Sequence, residues 1–481
     1  MIFRTNTLRL ALVMMFALAA CMCSAAEQPR KFKHVIIILQ ENRTVDNVFG
    51  SNPNFEPGVD IQNFGLISNG TTIPLVAVPW DTCWDPEHSL LSFNNQWDHG
   101  KMDGADKNQP LAHIGRPGCV LPPLLEYSYV DNSTGQVEPY FEIAKRYGFA
   151  NRMFQTNRGP SYAAHQFFLA GTSAPTTYSK LFVAENPDKE PQDCTSPPDV
   201  TVPLVDEDGS EDTNPPIYPC FEHPTLPDTL NDARVTWKYY ADTPHGIWTA
   251  PNSIDHLCQA KEQAGGKACS GPDWLKNVII GSHRVLDDIR DCKLAQVLWI
   301  TPTGKESDHP VMNDGRGPPW VAEVVNAIGS HRPCPGTGEV YWEDTAIFIT
   351  WDDWGGWYDH VPPYRTGQAN GWGKSYTYGL RVPLLVVSAY TPAGLVENAN
   401  HDTGSLLRFI ETNFSTGLIG PGFYADSYAD DSLKNYFTLP NPRPFDRIPV
   451  KFNYEIFMLN AQDTGRRVFT EMAKCGIGCW F

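Results

Sequence analysis

The stretch from Lys33 to Gly50, KHVIIILQENRTVDNVFG, constrains this chain more than any other. Val35, Ile36, Ile37, Ile38 and Leu39 form an unbroken apolar run dominated by β-branched residues. Such a run has no polar face to turn to water, so both of its sides must be covered. A central parallel strand of an α/β sheet meets that need. The run stops abruptly at Gln40, Glu41, Asn42 and Arg43. In open α/β sheets ligands sit beyond the carboxyl ends of the strands. Glu41 offers carboxylate oxygens and Asn42 a carbonyl oxygen, both suited to a hard cation. A plain polar loop is the competing reading of this stretch taken alone.

The N-terminus predicts export. Arg4 and Arg9 precede an uncharged apolar run from Leu10 to Ala20, and Ser24, Ala25 and Ala26 follow. That is the pattern of a secretory signal peptide over residues 1–26. Leu18-Ala19-Ala20-Cys21 also resembles a bacterial lipoprotein signal, the alternative in which Cys21 carries a lipid anchor. No later segment is long and apolar enough to cross a bilayer. Of twelve cysteines, Cys21 and Cys23 fall in the leader, and the even number left are scattered rather than spaced for a metal. Disulfides in an oxidising compartment, periplasmic or extracellular, account for them. Cys194–Cys220, Cys258–Cys269 and Cys475–Cys479 are the local pairs. A formal charge of −18 argues against nucleic acid and anionic membranes as partners. It leaves small anionic substrates open, because a bound cation reverses the local potential.

Strand and helix signals alternate along the chain with no linker between them, which predicts one layered α/β domain over 27–481. Residues 141–147 read as a short helix, 235–240 and 295–300 as strands, and 321–328 as a helix. Residues 343–350 and 382–390 are further strands, and 405–414 a helix. Residues 184–220 and 241–292, rich in proline and cysteine or acidic residues, read as insertions. Four polar clusters follow these apolar strands or open a helix: Glu41-Asn42, Ser161, Asp308-His309 and Asp352-Asp353, with Asp359-His360 close behind. Ser161 follows Gly159-Pro160 at the mouth of a helical pattern. A hydroxyl there either caps the helix or acts as a nucleophile stabilised by the helix amides. Adjacent aspartates raise each other's pKa unless a cation holds them. Gly355-Gly356 just beyond permits close backbone approach. His88, ahead of a Leu-Leu-Phe segment, falls near a helix start.

Six segments together carry a resemblance. KHVIIILQENRTVDNVFG at 33–50, GPS at 159–161, SDHP at 307–310, TWDDWGGWYDHVPP at 350–363, RVPLLVVS at 381–388 and HDTGSLLRFIETNF at 401–414 resemble the bacterial phosphoesterase family of secreted acid phosphatases and phospholipases C. The resemblance runs in order over roughly residues 31–415. It implies an alkaline-phosphatase-like α/β/α sandwich with a mostly parallel central sheet, and phosphoric ester hydrolysis through a covalent phosphoserine. It places Ser161 as nucleophile, Glu41, Asn42, Ser161, Asp352 and Asp353 around one divalent cation, and His88 and His309 as groups that contact phosphate or protonate the leaving group. Arg43, His165 and His360 are further substrate-binding candidates. The chain departs from the family at Ala163-Ala164-His165, where many members carry Pro-Asn before Arg or His.

The implied substrate is a small phosphate ester or a phospholipid head group. Family phospholipases C tend to carry threonine as nucleophile and extra C-terminal β-domains, so Ser161 favours a broad acid phosphatase, with phospholipase C as the alternative. A sulfatase is disfavoured because Ser161 is not followed by x-Pro-x-Arg. A secreted binding protein without turnover is the non-enzyme alternative.

Overall fold

The apolar run forms strand β1 (His34–Gln40), buried along its whole length. Full burial of each aliphatic side chain contributes about 1.5–3 kcal/mol, so this strand is a main contributor to the core. The computed structural model describes residues 31–113, 117–183, 185–206, 215–364, 378–429 and 432–450. The predicted leader and the Cys475–Cys479 pair lie outside them.

Seven further strands complete the central sheet: β2 (Gly148–Ala150), β3 (Trp237–Ala241), β4 (Val278–Ile280), β5 (Val297–Ile300), β6 (Thr345–Trp351), β7 (Leu384–Ser388) and β8 (Leu395–Glu397). Their order is β4-β3-β5-β1-β6-β7-β2-β8. Only β7 runs against the others, pairing antiparallel with both β6 and β2. The expected α/β fold with a mostly parallel sheet is therefore present. β1 lies between β5 and β6, parallel to both, as its two-sided apolar pattern required.

Helices cover both faces. Those used below are α1 (Val45–Phe49), α2 (Leu90–Trp97), α3 (Glu138–Arg146), α4 (Ser161–Ala170), α5 (Leu226–Asp232), α6 (Arg284–Arg290), α7 (Gly317–Gly329) and α8 (Thr403–Phe414). Two groups pack among themselves, α7 with α3 and α6, and α4 with α5 and α8. Phe348 of β6 packs on Phe409 of α8, while Trp351, an odd number of residues on and so on the opposite face, packs on Tyr140 of α3. The two groups are thus the outer layers of a sandwich. Two expectations are corrected. Glu343 and Asp344 belong to a helical turn, Tyr341–Asp344, that precedes β6. Residues 241–292, expected as an insertion, contribute β4 and α6 to the sandwich because their apolar residues pack on β3 and α7.

Four disulfides are present among the described residues: Cys83–Cys119, Cys194–Cys220, Cys258–Cys269 and Cys292–Cys334. The second and third are the expected local pairs. The other two close loops of 36 and 42 residues, too long to be read from spacing.

Candidate active site

The register of β1 and β6 builds the site. Gln40 stands opposite Trp351, so the turns that leave the two strands emerge side by side. The Asp352 amide donates to the Gln40 carbonyl at 2.9 Å and the Arg43 amide to the Asp353 carbonyl at 3.1 Å. The Asn42 amide donates to Asp352 Oδ1 at 3.0 Å. Asn42 adopts the left-handed region (φ 61°), which asparagine tolerates better than most residues. Gly355, at φ 59°, allows the second turn to nest on the first, since a Cβ there would lie 2.3 Å from the Asn42 carbonyl oxygen. The close approach expected of the paired glycines is realised.

Ser161 opens α4, with Pro160 as the flanking residue and no side-chain cap. The capping alternative for Ser161 is therefore set aside. A free amide of this turn, that of Tyr162, is satisfied by Asn186 Oδ1 at 3.0 Å, from the 184–220 insertion. Ser161 Oγ instead lies 3.3 Å from Glu41 Oε2 and 3.3 Å from Asp353 Oδ2.

Glu41, Asp352 and Asp353 are all buried, and among the described residues no lysine or arginine pairs with them. Burial, reinforced by Asp352, pushes the carboxyl groups of Glu41 and Asp353 well above the ordinary range. Asn42 Oδ1 and Asp352 Oδ2 are buried oxygens without a hydrogen-bond partner. Clustered carboxylates of this kind are costly unless positive charge joins them. A hard divalent cation fits the oxygen donors of Glu41, Asn42, Ser161, Asp352 and Asp353.

Two histidines face this cluster. His88 Nε2 contacts Asn42 Nδ2 at 3.0 Å, and Nδ1 contacts the Pro86 carbonyl at 2.8 Å. Burial works against a charge on this ring, but Asp353 and Asp85 outweigh it and hold the pKa up at about 9. The amide orientation of Asn42 needs the neutral ring; a cation among the carboxylates would offset their field and reconcile the two. His309 packs edge-on to His88 with ring centroids 6.1 Å apart. Its Nδ1 meets the Pro310 carbonyl at 2.7 Å, while Nε2 stands 3.9 Å from Asp85 Oδ2.

Two of the substrate-binding candidates are corrected. Arg43 is buried beside the rings of Trp80 and Trp357, 4.2 and 5.1 Å from their centroids. It donates to the Asp308 and Trp80 carbonyls and to Asn47 Oδ1. With its guanidinium committed to structure, it holds the Asp308 loop against β1 rather than a substrate. His360 contacts Asp46 Oδ2 at 2.6 Å and Asp60 Oδ1 at 3.0 Å. Both ring nitrogens are thus occupied in a buried ionic network that also contains Asp359 and Arg381. The third candidate, His165, is inside the cluster: Nε2 lies 3.0 Å from Glu41 Oε1.

Sequence reasoning missed the partners of these groups. Asp85 lies between the two histidines, 4.0 Å from His88 Nδ1 as well as 3.9 Å from His309. Its only signal was its place three residues before His88. Asp308, one residue before His309, receives hydrogen bonds from Tyr140 at 2.7 Å and Trp351 at 2.8 Å. Burial raises its carboxyl pKa to about 8 despite these donors and Arg43. No local pattern announces such contacts, which join residues far apart in the chain.

Residues 32–417 match the Phosphoesterase family. Phospholipase C A of Mycobacterium tuberculosis is 23% identical over 450 residues, covering 85% of this chain and 78% of that protein. The non-hemolytic phospholipase C of Pseudomonas aeruginosa is 24% identical over 459 residues, covering 87% of this chain and 59% of that protein. The non-hemolytic phospholipase C of Burkholderia pseudomallei is 31% identical over 229 residues, and the match spans only 32% of its length. Among solved structures, a protein in the alkaline phosphatase superfamily from Vibrio parahaemolyticus aligns with 81% of this chain and 67% of its own, at 8% identity and a TM-score of 0.32.

Proposed function

The chain belongs to the Phosphoesterase family, hydrolases acting on phosphoric esters, and from that premise we propose that it is a phospholipase C. It cleaves the phosphodiester of a phospholipid head group through a phosphoserine on Ser161. The relatives that match most of this chain carry that description, so they favour this reading over the broad acid phosphatase that Ser161 first favoured. The single observation that carries the chemistry is Ser161 Oγ at 3.3 Å from both Glu41 and Asp353, at the start of a helix.

Glu41, Asn42, Ser161, Asp352 and Asp353 would hold one divalent cation. Bound there, it lowers the pKa of the Ser161 hydroxyl and offsets phosphoryl charge. The protein groups do the rest. Ser161 Oγ attacks phosphorus as its proton passes to a carboxylate it touches, and the positive end of the α4 dipole faces the phosphoryl oxygens. The bond from phosphorus to the diacylglycerol oxygen breaks, and His309 Nε2 gives that oxygen a proton. Water then attacks the phosphoserine and gives a proton to His309, and the Ser161 oxygen leaves with the proton the carboxylate returns, releasing the phosphate monoester. A binding protein without turnover would leave this arrangement idle. Four disulfides support export.

Parallel assays on phosphatidylcholine and p-nitrophenyl phosphate test the reading. Release of phosphocholine from the lipid is expected, falling at least about 10³-fold in Ser161→Ala with an unchanged circular dichroism spectrum. Prolonged dialysis against chelator is expected to abolish turnover, and the returned metal to restore it. Rapid turnover of the monoester with none of the lipid would reinstate the phosphatase reading. Undiminished lipid turnover in Ser161→Ala would remove the nucleophile.

A further inference from the structure

His165 is the member of the cluster without a defined task. It lies in α4, buried, four residues beyond Ser161 and so on the same side of the helix. Behind it stands Tyr239 of β3, whose hydroxyl donates its one proton to the Trp248 carbonyl at 2.7 Å. The Tyr239 oxygen lies 3.4 Å from His165 Nδ1 and can only accept there. A proton is thereby drawn to Nδ1, which leaves the lone pair of a neutral ring on Nε2. That nitrogen faces Glu41 Oε1 at 3.0 Å and Asp352 Oδ2 at 3.7 Å. Asp352 Oδ2 is buried and has no hydrogen-bond partner.

Three electron-rich atoms from β1, α4 and the turn after β6 thus converge, all within 4.8 Å of one another. Adjacent ligands of one divalent ion with bonds of about 2.1 Å stand about 3 Å or more apart, and these separations match. We propose that His165 Nε2 is a nitrogen ligand of the cation, sharing Glu41 and Asp352 with the oxygen cage. This deepens, and rests on, the metal-dependent reading given above. An imidazole in the donor set gives the site a preference that oxygen donors alone lack. It selects a transition-metal ion such as zinc or iron over magnesium or calcium. The same tautomer logic makes Tyr239 a positioning residue, holding the ring as an outer partner does in other histidine–metal sites.

The test uses the full chain, stripped by chelator and reloaded with one equivalent of Mn²⁺, read by pulsed electron paramagnetic resonance. The expected signal is echo modulation from a directly bound nitrogen, altered by ¹⁵N-histidine labelling. His165→Gln loses that modulation while still binding one Mn²⁺, and its preference for Zn²⁺ over Mg²⁺ falls at least about tenfold. His88→Gln keeps the modulation. Should His165→Gln fail to fold, labelled wild-type protein beside His88→Gln decides the assignment. One bound Mn²⁺ without nitrogen modulation, or modulation that survives His165→Gln, overturns the proposal and leaves the oxygen cage standing. The former is the result expected if His165 merely donates protons to Tyr239 and Glu41. No stoichiometric Mn²⁺ binding in wild-type protein overturns the cage itself, and this inference with it.

Discussion

His88 and His309 flank Asp85 at nearly equal distances, yet their surroundings divide the labour between them. His88 is buried with both ring nitrogens engaged, by Asn42 and the Pro86 carbonyl. His309 keeps 15% of its side chain exposed and, among the described residues, engages Nδ1 alone at hydrogen-bonding distance. In the proposed reaction it is therefore the group that meets the leaving oxygen. In His309→Asn, turnover of phosphatidylcholine is expected to fall about 10²–10⁴-fold, because an alkoxide leaves poorly without a proton. Hydrolysis of a p-nitrophenyl ester, whose leaving group needs no proton, is expected to change little. Steady-state rates on the two substrates check this; an equal loss on both would assign His309 to phosphate binding instead.

At the scale of elements, two joints are open to test, one beside the site and one in the helix layer. The first is the turn after β6. Gly355→Ala places a side chain on left-handed backbone, costing about 1–2 kcal/mol, and drives it into the Asn42 carbonyl 2.3 Å away. Lower thermal stability and weaker metal binding are expected together, measured by melting and by metal titration. The second joint is α8, where Glu411 is buried beside Asp426. Burial first, and Asp426 second, raise the Glu411 carboxyl from 4.5 to about 9. The folded chain thus holds a proton that the unfolded chain gives up above pH 4.5. Stability from this group is full below that value and is lost as pH rises through the folded value. Glu411→Gln, which cannot ionise, is expected to melt like the parent near pH 4 and increasingly above it toward pH 9. The gain is on the order of 2 kcal/mol, given that the two carboxyls titrate as a pair. A pH series of melting curves reads it directly.

At the scale of the molecule, covalent ties hold site-bearing loops to the sandwich. Cys83–Cys119 closes a 36-residue loop that carries Asp85 and His88. The Cys83→Ser, Cys119→Ser double variant is expected to lose about 2–4 kcal/mol of stability in denaturant unfolding. Its turnover is expected to fall as well, because the loop places both residues. The sequence by itself determined β1, most of the strand and helix succession, two of the disulfides and the polar clusters at the strand ends. These are local signals: an apolar run, a helical period, a short cysteine spacing. It also brought Ser161, Glu41, Asn42, Asp352 and Asp353 into view as one set through the family resemblance. Only the tertiary structure decided that Arg43 and His360 are structural, that Asp85 stands between two histidines, and that Tyr239 stands behind His165. Those facts depend on which atoms meet across the β1–β6 register and the helix layers. A side chain's local pattern records its face of an element, but its partner is set by what the fold brings to that face.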